Sequence, residues 1–392
     1  MAYIFGTKSQ SVINEIVFER TTTWACNFTC RAIVTVIGAG GGGGAARNDA
    51  AANSIMAAGG GAGGVAKSLL TLTSGTSYVA TVGGQGSYVA TAGDEGNTGG
   101  TGGNSSWKVD GGSALLTGNG GAGGTAGQGG SASSGTGGAG GAASGGNIFN
   151  ATGGEGGDAA CTAFSSSGFH IGAGGGGAAG IFGKGHRGGD AACTTGGYNK
   201  LASAGGAGVW GEGGDVTCLN GNGIEMASLG GSAWGKGHSF SEASDRNPWL
   251  NGVVPQSYNY NFKYRGPYQD GEHTSHQTEQ TQMMQGKVGS IFEGLTGGPG
   301  RGTVSASNYT YPGPGAGGTG AYNSGAYTLG KNLGGLFGGG GGDCQFGGSG
   351  GCYGGAGNFG AGGGGAAAYS NSNPYSGKGG GGLVVISILE YL

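Results

Sequence analysis

Three copies of one short motif gather the residues best equipped for chemistry: GGDAAC at 156–161, GGDAAC at 188–193 and GGDVTC at 213–218. On a three-fold helix, Asp and Cys at i and i+3 share one edge, so each copy lays an acid in line with a thiol. If neighbouring copies lie at the strand spacing of about 4.8 Å, two cysteines fall within the Cα separation that a disulfide spans, about 4.4–6.8 Å. A disulfide of Cys161 with Cys193, or of either with Cys218, is therefore feasible. The plainer reading is duplication of one structural unit whose small residues repeat with it. Metal binding through these Asp and Cys residues is disfavoured, because no CxxC and no Cys/His set accompanies them.

Other chemical candidates are weaker. Cys26 and Cys30 lack a second pair of matching spacing and read as two packed thiols beneath a strand. His273 and His276 have helical i, i+3 spacing, yet the surrounding EHTSHQ favours a solvated polar face over a metal site. FGKGH at 182–186 and WGKGH at 234–238 read as turns between glycine tracts. The one dense ionisable cluster, Asp270, Glu272, His273, His276 and Glu279, has no apolar wall against which to tune a carboxyl. Paired carboxylates in a groove, as glycoside hydrolysis requires, have no scaffold here. The chain is read as a non-enzyme without cofactor or metal.

What positions these motifs is mostly glycine, which supplies 109 of 392 residues, while charged residues make up only 9%. A conventional core therefore covers only part of the chain. The net charge of −3 and the lack of any basic run argue against nucleic acid as a partner. No signal-like start and no membrane-spanning apolar stretch is seen, so folding in a cytosol with reduced thiols is expected. Seven scattered cysteines are too few for a disulfide scaffold of this size.

The tracts have a period. From 119 to 131 the residues Asn119, Ala122, Thr125, Gln128 and Ser131 recur at every third position, with only Ala126 off the pattern. The same spacing returns at Thr136, Ala139 and Ala142, at Glu155, Asp158 and Cys161, and at Phe346, Ser349 and Cys352. Three residues per turn is the polyproline II repeat, whose backbone bonds to nothing within itself. Glycine edges let such helices approach and pair laterally. A flexible linker is the competing expectation, since glycine is costly to order. Collagen is disfavoured by the loose period and by a proline count of 7.

Strand signals frame the tracts. Residues 32–44, AIVTVIGAGGGGG, run from a β-branched strand into glycine, and 379–389, GGGGLVVISIL, run from glycine into a strand. The two read as paired strands of one β-module, with nearly everything between them inserted. Val12, Ile13, Ile16, Val17 and Phe18 suggest a short lead-in strand, and Trp24 should pack under the first long strand. Residues 65–73 and 77–82, joined by a Ser-Gly-Thr turn, are predicted to pair as a hairpin. Residues 104–109 and 113–117 form a second, weaker hairpin prediction.

Residues 240–296 break the pattern, with six glycines in 57 positions and a crowd of aromatics. Such side chains forbid a close-packed glycine array, so the segment should project, with a short helix expected over 274–285. The chain thus divides into a lead-in (1–31), a β-module with the first tracts (32–118), a tract lattice (119–239), an aromatic and proline-rich excursion (240–330), and closing tracts with a final strand (331–392).

In its order of Trp24, the strand and glycines of 33–44, the 77–86 segment ending VGGQG, Asn104-Ser105-Ser106-Trp107, the tracts from Gly118 and the 379–389 junction, the chain resembles the glycine-rich domain of bacteriophage tail-fibre proteins and tip adhesins. A similar arrangement occurs in the extracellular glycine-rich domain of the anaplastic lymphoma kinase receptors. The resemblance covers about 70% of the chain and implies a mainly β fold: a β-sandwich-like base with an inserted lattice of laterally packed polyglycine helices. It further implies a virion protein, folded in the host cytoplasm, that presents loops to a host-surface receptor, either a glycan or an outer-membrane protein. Other virion proteins would be met through the N-terminal segment or the base, and a homo-oligomer stays open. Trp249, Tyr258, Tyr260, Phe262, Tyr264 and Tyr268 are the candidate contact residues, since aromatic rings supply area at low rotamer cost. One long excursion in place of several short loops departs from the adhesin pattern. A capsid-decorating or tail-assembly role is the alternative, and a secreted glycine-rich matrix protein a third.

Overall fold

A computed structural model of the chain describes residues 12–48, 54–91, 95–129, 133–162, 170–194, 200–218, 225–228, 230–231, 236, 240–242, 315, 317–318, 320–323, 333–346, 352–369 and 373–392. All regular structure in these residues is β. The excursion's aromatic candidates and the expected helix over 274–285 lie outside the described residues.

The two glycine junctions are partners, as their mirrored sequences imply. Strand Cys30–Ile37 pairs antiparallel with Leu383–Tyr391, Leu383 facing Ile37. That closing strand sits between Cys30–Ile37 and Asn14–Phe18, and Val65–Leu72 then Phe149–Ala151 extend the sheet on its other side. Alternation along the strands serves two interiors. Val34, Val36, Val384 and Ile386 enter a core with Tyr78, Trp107 and Leu116 of a facing five-stranded sheet. Ile37, Leu383 and Val385 enter a second cluster with Ile181, Val209 and Phe337, which lie at turns between tracts. Trp24 packs against the first core, as its position before the strand predicts.

One pairing expectation is corrected. Residues 65–82 do not form a hairpin, because Val65–Leu72 is already bonded on both edges, by Cys30–Ile37 and Phe149–Ala151. Ser77–Thr81 pairs in the facing sheet with Thr22–Ala25 and Ser105–Val109. The turn at Gly75, with φ of 79°, is therefore a corner between sheets. The second predicted hairpin does form, Ser105–Val109 with Ala114–Gly118, with a bulge.

The tracts are neither helix nor strand, and their hydrogen bonds obey the three-residue period read from the sequence. In the segment 58–64, the N–H groups of Ala58, Gly61 and Gly64 donate to Thr125, Ala122 and Asn119. Those of Gly59 and Ala62 donate to Gly157 and Gly154, and those of Gly60 and Gly63 to Gly363 and Gly360. Its carbonyls accept from Gly38, Gly41 and Gly44 on one side, from Gly138 and Gly141 on a second, and from Gly177 on a third. All these bonds measure 2.7–3.1 Å. One interior segment is thus tied to six neighbours drawn from all along the chain. Where a segment reaches the periphery its third residue turns outward: Thr136, Ala139 and Ala142 are exposed while Gly138 and Gly141 are buried.

Three further five-stranded sheets cap the tracts at the end away from the base. The tract 38–44 leaves the base where Cys30–Ile37 ends and delivers the chain to Ala45–Asn48, and its neighbour 58–64 returns it antiparallel from Ser54–Ala57 to Val65–Leu72. A middle sheet containing Ser54–Ala57, His170–Ala173 and Lys200–Ser203 is covered on one face by Ala159–Cys161, Ala191–Cys193 and Val216–Cys218. Its other face packs on Ala45–Asn48, Asp343–Phe346 and Ala366–Tyr369.

Close approach fixes the composition. A Cβ on Gly362 would lie 1.9 Å from the carbonyl oxygen of Gly60, whereas at Gly84 it would meet nothing within 4 Å. Gly362→Ala is expected to cost about 1–3 kcal/mol or more by overpacking. Gly84→Ala should stay within about 0.5 kcal/mol of the parent. Denaturant titration of both variants checks this, and equal stabilities would contradict the packing described.

Candidate functional site

The GGDxxC copies are brought together. Ala159–Cys161, Ala191–Cys193 and Val216–Cys218 are consecutive parallel strands in register, so Cys161 faces Cys193 and Cys193 faces Cys218. Phe240–Glu242 continues the series beside Val216–Cys218. The second and third copies each close a hairpin, made of a strand of the middle sheet, a tract, a turn at 181–184 or 208–211, a returning tract and the Asp-x-x-Cys strand, whereas the first copy follows a tract that leaves the base strand Phe149–Ala151. FGKGH at 182–186 begins in the first of these turns, as read from the sequence.

Each aspartate hands a side-chain acceptor to the neighbouring segment where tract gives way to strand, and for Asp190 and Asp215 that segment is the previous copy. Asp158 Oδ1 accepts from Gly137 N–H at 2.6 Å, Asp190 Oδ1 from Asp158 N–H at 2.7 Å, and Asp215 Oδ1 from Asp190 N–H at 2.9 Å. Backbone pairing resumes at the next residue, with Ala191 N–H on Asp158 O and Val216 N–H on Asp190 O. Two cations lace the row. Arg187 reaches Asp158 at 2.7 Å and Asp190 at 2.5 Å, and Lys236 reaches Asp215 at 2.7 Å. Glu155 and Glu212 stand farther off, 3.9 Å from Arg187 and 3.7 Å from Lys236. Burial raises the Asp190 carboxyl above its ordinary value despite the Arg187 hydrogen bond. Desolvation pulls Arg187 down, but the hydrogen bond and charge of Asp190, with Asp158 and Glu155, outweigh it and leave the guanidinium above its usual range.

The thiols turn inward. Cys161, Cys193 and Cys218 are buried as thiols between the repeat strands and the middle sheet. Cys161 Sγ lies 3.1 Å from His170 Nδ1, and the Cys193 thiol is pushed well above its ordinary value, first by its hydrogen bond with Cys218 and then by burial. The positive charge of Lys200, itself fully buried, works in the opposite direction on Cys193. At the base, burial and then Cys26 push Cys30 up to about 11. Cys30 and Cys193 are thus packed, proton-holding thiols rather than nucleophiles.

Two surface features went unread in the sequence. Phe182 and Trp210, one at each repeat turn, stack with ring centroids 4.8 Å apart and planes 8° apart while staying 38% and 46% exposed. Elsewhere Tyr353 stacks on Tyr375, and Tyr88 carries the Lys378 ammonium over its ring. The repeated aromatic in IFG and VWG was the available signal for the first pair. Among the described residues no group of three His, Cys, Asp or Glu side chains is placed to hold a metal, and no helix is long and apolar enough to cross a membrane.

No protein-family model matches the chain, and no curated protein matches it.

Two predictions follow from this geometry. Asp190→Asn, which keeps an oxygen acceptor for Asp158 N–H, should lose less stability than Asp190→Ala, which leaves that N–H unmade at a cost of about 1–3 kcal/mol. Equal losses in denaturant titrations would assign the effect to the ion pair instead. A thiol reagent should label none of the seven cysteines at an appreciable rate in the native state and all of them after guanidinium unfolding. Fast native labelling at Cys193 or Cys218 would contradict their burial.

Proposed function

We propose that the tracts are polyproline II-type glycine helices packed as a lattice on a β-sandwich base, and that the chain is a bacteriophage virion protein, a tail-fibre or tail-tip adhesin. The observation that carries this reading is the saturation of the interior. Among the described residues main chain meets main chain there at hydrogen-bond distance, as 58–64 does with six neighbours, and a Cβ added at the glycines of that segment would collide with neighbouring backbone. Recognition must then happen at the periphery and in segments that leave the lattice, and the framework serves to hold them. Rigidity lowers the ordering cost when such segments bind.

The 240–296 segment is the proposed receptor contact, with Trp249, Tyr258, Tyr260, Phe262, Tyr264 and Tyr268 as its aromatic anchors. The partner is a host-surface glycan or outer-membrane protein, and the base or N-terminal segment joins other virion proteins. Attachment in this reading is binding alone, without bond cleavage.

Purified protein should bind intact cells of a susceptible bacterial host, and replacing 240–296 with a short Gly-Ser link should abolish that binding while the melting transition persists. Absence of binding by either form, together with failed virion assembly when the segment is cut, would replace the adhesin with an assembly component.

A further inference from the structure

The repeat hairpins carry a surface that the folding of the lattice does not use up. Along the returning tracts the charged residues recur at i and i+3, giving Glu155 with Asp158, Arg187 with Asp190, and Glu212 with Asp215. The distal row of aspartates is spent on main-chain N–H groups and on Arg187 and Lys236. The row nearer the turns is not: Glu155 and Glu212 sit beyond hydrogen-bond reach of their cations, with side chains 57% and 52% exposed. Beside this row, Trp210 lies two residues from Glu212, and its ring stacks on Phe182.

We propose that this turn face, formed by Phe182, Trp210, Glu155, Glu212, Arg187 and Lys236, binds uncharged hexopyranoses of a surface polysaccharide. The inference rests on the adhesin reading above and places a glycan contact on the lattice itself. Aromatic rings offer flat faces to the C–H side of a pyranose, and carboxylates with spare lone pairs accept from its hydroxyls. Five carboxylates against two cations in the ion-paired set repel phosphorylated or uronic polymers. An added peptide strand finds no support at the turns, where Gly208 and Gly211 bond each other and Gly183 N–H bonds Gly180. The two described hairpins lie side by side with their Asp-x-x-Cys strands in register and Phe182 stacked on Trp210, so the face offers two like steps to a repeating polymer.

The test is binding of the full chain to an immobilised array of neutral hexose, N-acetylhexosamine and uronic-acid oligosaccharides, followed by tryptophan-fluorescence titration of the hits. Wild type should bind neutral members, Trp210→Ala and Phe182→Ala should weaken binding by about tenfold, and Trp210→Phe should stay within about threefold of wild type. Glu155→Gln with Glu212→Gln should weaken it without shifting the melting temperature. No neutral hit, preference for uronic members, or unchanged affinity in Trp210→Ala would overturn the proposal. Whole-cell binding of the same variants separates the two readings. Binding lost with 240–296 but kept in Trp210→Ala removes this face and leaves the adhesin. Array binding that depends on Trp210, without attachment to any host, leaves the face and removes the adhesin.

Discussion

Every interior tract must close its main-chain hydrogen bonds against other tracts, because it makes none within itself. Successive residues of 58–64 point their N–H groups in three directions and their carbonyls in three more, and each direction finds a partner. Bonds of 2.7–3.1 Å between main chains leave no space for a Cβ at the glycines of this segment, while Ala58 and Ala62 hold buried methyls. Glycine content, the three-residue period and the exile of large side chains all descend from this one requirement. The entropy lost in ordering so much glycine is offset by a hydrogen-bond network that reaches through the whole lattice.

The base and the distal sheets solve the problem of ending a tract. At the base, β-branched strands continue straight out of glycine and bury both faces, one against Trp107 and Tyr78, the other against the turn residues Ile181, Val209 and Phe337. Phe337 adopts φ of 62° there, a left-handed conformation that its complete burial holds in place. At the far end the tracts widen into sheets whose small residues, alanine and cysteine above all, keep the layers close. Asp158, Asp190 and Asp215 mark the change from one regime to the other by lending a carboxylate where the backbone pattern shifts phase.

Much of this was legible. The mirrored junctions at 32–44 and 379–389 announced their pairing, and the period at 119–131 announced the lateral bonding. The GGDxxC copies marked a repeated unit, but the three-fold helix read there is corrected: the copies end in strands, and acid and thiol face opposite sides where one shared edge was expected. The corner at 73–77 was not legible, because local sequence offers two strands and a turn whether or not the strands choose each other. Nor was the interleaving of 58–64 with 360–365, since glycine carries no side-chain mark of which tract it will touch. The stacked Phe182 and Trp210 escaped notice because each sits alone in its own turn, and only the parallel stacking of hairpins brings them together. The excursion's aromatics, chosen for composition alone, fall outside the described residues.

The closing strand has a consequence for synthesis. Leu383–Tyr391 lies between Asn14–Phe18 and Cys30–Ile37, so two strands bracket one that is synthesised much later than either. The base sheet cannot close until residue 391 has left the ribosome. The tract 38–44 likewise waits for acceptors as late as Gly377 and Gly380. A chain that stops before residue 383 therefore lacks the strand on which Asn14–Phe18 and Cys30–Ile37 must pair. The topology thereby withholds the closed base sheet from any chain that stops short of Leu383–Tyr391.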